Sequence, residues 1–85
     1  MMMIDMQQLG ARVRQARKRL RLRQGELARQ AEMDAGNLSE LEHGHKPSAR
    51  IETLASLAHR LQVSTDYLLG LTDDPTPRWT RQEML

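Results

Sequence analysis

The residues of this 85-residue chain whose types and spacing could do chemistry fall into two groups. The first is His43-Gly44-His45, two imidazoles one residue apart. A metal site needs three or four ligands, the chain holds no cysteine, and the third histidine, His59, falls on a different predicted helix. The plainer reading is a histidine at a helix end and a second one facing an anion, with no metal and no cofactor implied. The second group is cationic. Residues 1–31 carry eight Arg and Lys against two acids, whereas residues 32–85 carry five against nine. A basic face on a small domain suits a polyanionic partner, although a solvated charged helix would account for it equally. No nucleophile–base pair, paired carboxylates or Gly-rich phosphate loop is identifiable, so there is no positive case for an enzyme.

These residues need elements to position them, and the apolar spacing predicts only helices. Leu9, Val13, Ala16 and Leu20 form one helical stripe, with Asp5 placed to cap it. Arg12, Arg14, Arg17, Lys18 and Arg19 fall on the other faces, where some are ordinary solvated charges. A short helix follows over residues 24–31, burying Leu27, Ala28 and Ala31. Asp34 caps a third over 35–42, which has Leu38 and Leu41 on its seam and ends at Gly44. Ser48 is expected to cap a fourth over 49–61, whose broad apolar face includes Ile51, Leu54, Ala55, Leu57, Ala58 and Leu61. Ser64 caps a fifth over 65–69, closed by Gly70. Residues 72–85 open with Thr72-Asp73-Asp74-Pro75-Thr76-Pro77 and read as a linker or irregular tail. The fold class expected is all-α, a single domain over residues 1–71. The absence of cysteine fits a reducing cytoplasm, and no apolar stretch reaches membrane-spanning length.

A short helix, a tight turn over 32–34 and a second short helix with a polar outer face make a helix-turn-helix over about 24–42. Here the chain resembles the phage-repressor and Cro-like, or xenobiotic-response-element-type, regulators. The matching residues are Gln24-Gly25-Glu26-Leu27-Ala28-Arg29-Gln30-Ala31, Leu38, Leu41-Glu42-His43-Gly44 and Lys46-Pro47-Ser48. Ile51-Glu52-Thr53-Leu54 and Leu61-Gln62-Val63-Ser64-Thr65-Asp66-Tyr67-Leu68-Leu69-Gly70 also match, so the resemblance covers roughly residues 9–71.

The resemblance implies a compact five-helix, lambda-repressor-like domain that binds double-stranded DNA as a homodimer on palindromic operators. It implies that Gln24 touches phosphate and braces the recognition helix. It also implies that Ala35, Gly36, Asn37 and Glu40 face base edges. An asparagine amide can pair with adenine N6 and N7, a contact worth about 1–3 kcal/mol of discrimination. The competing reading of Asn37 is an idle exposed residue. Glu40 either accepts from cytosine N4 or stays solvated. Ala35 either touches a thymine methyl or serves helix propensity. Gly36 either lets the backbone approach the bases or is merely tolerated. So sparse a reading face would lean on DNA shape, or on Arg21 and Arg23 at its edge.

Phosphate contacts are expected from Arg12, Arg23, Gln24, Ser39, His45 and Lys46, and dimer contacts from Tyr67, Leu68, Leu71 and Trp79. Many members of the family carry glycine where Glu32 stands, because the turn often needs a positive φ. Two other readings use the same residues. In one, an antitoxin or interaction module on this fold binds a toxin or another protein. In the other, the basic first helix meets a membrane surface or acidic protein, against which Leu9, Val13 and Ala16 are needed for the core.

Overall fold

In the computed structural model, residues 3–77 are described, and they contain five helices and no strand. These are α1 (Met6–Arg19), α2 (Gln24–Gln30), α3 (Ala35–Glu42), α4 (Ile51–Leu61) and α5 (Thr65–Leu69). Three of the expected caps are in place. The Asp5 carboxylate accepts from the backbone N–H groups of Gln7 and Gln8, Asp34 from Asn37, and the Ser64 hydroxyl from Tyr67. Each satisfies donors that the first helical turn leaves unpaired.

The five helices also end alike. Just past each one a residue turns left-handed, and the next N–H reaches a carbonyl five residues back. Glycine serves at Gly44 and Gly70, but Arg21, Glu32 and Gln62 adopt φ of +58°, +56° and +61°. The positive φ expected at Glu32 is therefore present, held by bonds from Glu32 N–H to Arg29 O and from Met33 N–H to Ala28 O. A side chain in this region costs about 1 kcal/mol that glycine avoids, partly offset by the freer unfolded chain. Glu32→Gly is expected to leave the melting temperature unchanged or raise it. A fall of several degrees on thermal denaturation would contradict this.

The core is built on Leu9, Val13 and Ala16 of α1, Leu27 and Ala28 of α2, and Leu38 and Leu41 of α3. Leu57, Ala58 and Leu61 of α4 and Leu68 of α5 complete it, with Ala31 and Val63 from the connections. Helix α1 packs on α3, α4 and α5, and α2 packs on α3 and α4. Helix α4 departs from expectation. It begins at Ile51 with Arg50 at its cap, and neither Arg50 nor Ser48 supplies a side-chain capping bond. Ile51 is 81% exposed and Ala55 is also exposed. Burial rises along α4 from its first turn to its last, so the first turn extends beyond the packed layer although its apolar spacing is unbroken.

Residues 72–77 are irregular, as expected, yet tied to the domain. Arg12 donates to the carbonyls of Tyr67 and Thr72 and to Asp73 Oδ1, and its guanidinium lies 4.2 Å from the centre of the Tyr67 ring. Ser64 N–H donates to Pro75 O at 2.9 Å, and Pro77 is buried. Leu68, expected at a dimer surface, is fully buried because α5 turns that residue inward, toward the core it shares with α1 and α4. Trp79 lies outside the described residues.

Candidate nucleic-acid interface

Helix α3 is divided lengthwise. Leu38, Leu41 and Glu42 face inward, while Ala35, Gly36, Asn37 and Glu40 are all exposed. The four residues expected to face base edges therefore share an open surface at the amino-terminal side of α3. Asp34 holds that end, its Oδ2 accepting from Asn37 N–H at 3.3 Å. A Cβ on Gly36 would lie 2.9 Å from the same Oδ2, so the missing side chain leaves room for the capping carboxylate. This adds a local reason for glycine to those available from sequence.

The inner face is fixed by an ion pair. Arg17 of α1 donates from Nε to Glu42 Oε2 at 2.7 Å and from Nη2 to Glu42 Oε1 at 2.9 Å. Arg17 Nη1 also donates to Leu22 O, and Gln24 Nε2 donates to Glu42 Oε1 at 3.2 Å. The Arg17 and Glu42 side chains are 12% and 2% exposed. This is a two-pronged guanidinium–carboxylate fit with the remaining acceptor capacity used by an amide. The Arg17 pKa is raised, chiefly by the hydrogen bonds to Glu42, against burial, which lowers it, and with the charge of Glu42 adding to the rise. A raised basic pKa stabilises the fold at every pH below the ordinary arginine value and would be lost only above the folded one. The pair is therefore insensitive to pH across the neutral range. Gln24, at the start of α2, thus sits against the last turn of α3, the bracing position that the resemblance implied. The Arg17–Glu42 pair itself was missed. Its only trace in sequence is a cation and an anion each flanking an apolar seam.

The other expected anion contacts are distributed as follows. Arg23 is exposed just before α2, and Ser39 is half-buried with its carbonyl accepting from the His43 ring at 2.7 Å. His45 Nδ1 lies 3.1 Å from Glu40 Oε2, and Lys46 Nζ donates to Asn37 Oδ1 at 3.0 Å. Arg12 is on the tail side, 12% exposed and already bonded to three partners, so it is not counted in the interface. A shallow groove beside α3 is lined by Asp34, Asn37, Lys46, Ser48, Arg50 and Thr53. Arg50, which sequence reasoning did not single out, therefore stands near Asn37 and Lys46. The rings of His43 and His45 stack at 5.7 Å, and among the described residues no group of three or more His, Cys, Asp or Glu could hold a metal ion. No helix among them is long and apolar enough to cross a membrane.

A family model described as a helix-turn-helix domain matches residues 8–69. The chain is 36% identical over 73 residues to YobD of Bacillus subtilis (strain 168), described as an uncharacterized HTH-type transcriptional regulator. That match covers 86% of this chain and 64% of YobD, so the chain spans somewhat under two thirds of that relative. Among solved structures, the clp gene regulator ClgR from Corynebacterium glutamicum superposes with a TM-score of 0.72 at 36% identity, covering 79% of this chain and 70% of that one. The P22 c2 repressor, solved in complex with a synthetic operator, superposes with a TM-score of 0.69 at 35% identity, covering 74% and 94%. With its five-helix fold and the exposed amino-terminal side of α3, the chain belongs over residues 8–69 to the helix-turn-helix domain family, among its phage-repressor and Cro-like members.

Proposed function

We propose that the protein is a cytoplasmic repressor that binds a palindromic operator as a homodimer, reading base edges with Ala35, Gly36, Asn37 and Glu40. The observation that carries this reading is the lengthwise division of α3. One side is locked into the core through Leu38, Leu41 and the Arg17–Glu42 pair, and the other offers four exposed residues at a capped helix end. A helix held rigidly on one side can enter a major groove with the other. Arg23, Gln24, Ser39, His45 and Lys46 surround this face and supply phosphate contacts, which fix register without carrying sequence information. The likeness to the P22 c2 repressor, itself solved on an operator, supports the same docking. Tyr67, Leu71 and Trp79 remain for the dimer contact, and Leu71 is 49% exposed.

The test is selection of bound DNA from a random pool by the full chain. Two recognition helices one turn of duplex apart should enrich inverted half-sites with centres about 34 Å apart, roughly 10 base pairs. Enrichment of no symmetric site would overturn the proposal.

A further inference from the structure

Two side chains of the loop after α3 reach back onto the proposed reading face, His45 to Glu40 and Lys46 to Asn37. The second contact settles a chemical question. A lysine ammonium only donates, so the amide atom it meets 3.0 Å away is the carbonyl oxygen. That fixes which way the Asn37 amide is turned and leaves its amino group as the unengaged end. Glu40 lies three residues further along α3, a neighbour on the helix surface, and would otherwise compete for the ammonium. Its Oε2 is engaged by His45 instead.

An unconstrained asparagine offers an acceptor and a donor side by side, which is the pattern that matches adenine N7 and its N6 amino group. Here the acceptor is already bonded to a full positive charge, the Lys46 ammonium. Adenine N6 would have to bring a second donor to an oxygen already bonded to an ammonium. Guanine presents two acceptors, N7 and O6, to the same groups and is attracted by both the amide hydrogens and the charge. We propose that Lys46 is a specificity-determining residue, which turns Asn37 from an adenine reader into half of a composite cationic donor selecting guanine. This rests on the reading of Asn37 as a base contact and sharpens it. With one N–H on Asn37 and one toward guanine, the third N–H of Lys46 is left for phosphate, so the residue serves both purposes.

The experiment is random-pool selection with the full chain in four forms: wild type, Lys46→Met, Lys46→Arg and Asn37→Ala. Met keeps the length of the side chain without a donor, and circular dichroism checks that each variant is folded. Wild type should enrich guanine at one position of each half-site. Lys46→Met should bind all sequences more weakly and also shift the guanine-to-adenine ratio at that position about 10-fold toward adenine. Lys46→Arg should keep guanine, and Asn37→Ala should leave the position without preference. If Lys46→Met weakens every site evenly and leaves the base profile unchanged, the proposal falls while the reading of Asn37 stands. If Asn37→Ala leaves the profile unchanged, that reading falls and the proposal with it. Adenine at that position in the wild type would also overturn it.

Discussion

Replacing Gly10 with alanine is expected to destabilise the domain by about 2–3 kcal/mol, which for a chain of this size is a fall of roughly 10–20 °C in melting temperature. Gly10 is buried in the middle of α1, where the helix crosses the end of α3. A Cβ there would lie 2.2 Å from Leu41 O and 2.8 Å from Glu42 O. Both are backbone atoms, so no rotamer change can relieve the clash, and α1 must lift away from α3 or α3 must tilt. The gain in helix propensity, about 1 kcal/mol, offsets only part of this. Gly25→Ala is the control. It lies in α2 with nothing within 4 Å of the added atom, and it should be neutral or slightly stabilising. Thermal unfolding followed by circular dichroism separates the two. Equal melting temperatures for Gly10→Ala and wild type would mean that the two helices do not approach this closely.

Arg17→Met is expected to cost more, about 3–5 kcal/mol, because it strands a carboxylate that is almost wholly buried. Glu42 would keep only the Gln24 amide, a neutral donor at 3.2 Å. The informative comparison is the double variant Arg17→Met, Glu42→Leu. Removing both charges removes the cost of burying them, and pairs of this kind are often exchanged for apolar residues at little net loss. The double variant should therefore recover most of the lost urea midpoint. If the two single effects simply add, the ion pair is not the source of the stability. Under the proposed function, affinity for the selected DNA gives a second readout, since the pair joins α1 to the inner side of α3. Loosening it should weaken DNA binding even where the domain remains folded.

Much of the scaffold was legible because its determinants are local. Asp5, Asp34 and Ser64 announce helix starts by their own hydrogen-bonding chemistry, and Gly44 and Gly70 mark helix ends. The division of α3 into an apolar seam and an open polar face follows from Leu38 and Leu41 alone. What remained hidden depends on which parts of the chain meet. Gly10 looks in sequence like a mild weakness in a helix, and only the passage of α3 makes it obligatory. Arg12 and Arg17 belong to one run of cations on one helix. The first holds the tail, the second holds Glu42, and nothing in their spacing distinguishes them from Arg14, which is exposed. Ile51 follows the apolar period correctly but lies in a turn that extends past the core. The contact between Lys46 and Asn37 joins residues nine apart, one in the loop and one on α3, beyond the reach of helical periodicity.

The Arg12 clasp has a consequence for how the protein is made. It ties α1 to Asp73, which is added 61 residues later. At about 5–20 residues per second, a ribosome leaves α1 without that partner for about 3–12 s. An isolated helix of 14 residues is marginal in water, so Leu9 and Val13 settle only as α3 and α4 emerge to pack on α1, before the clasp can close. A chain that stalls before α5 emerges lacks both Leu68 and the clasp, and exposes core surface of the kind that chaperones engage. The clasp is therefore among the last contacts of the domain to form as it is synthesised.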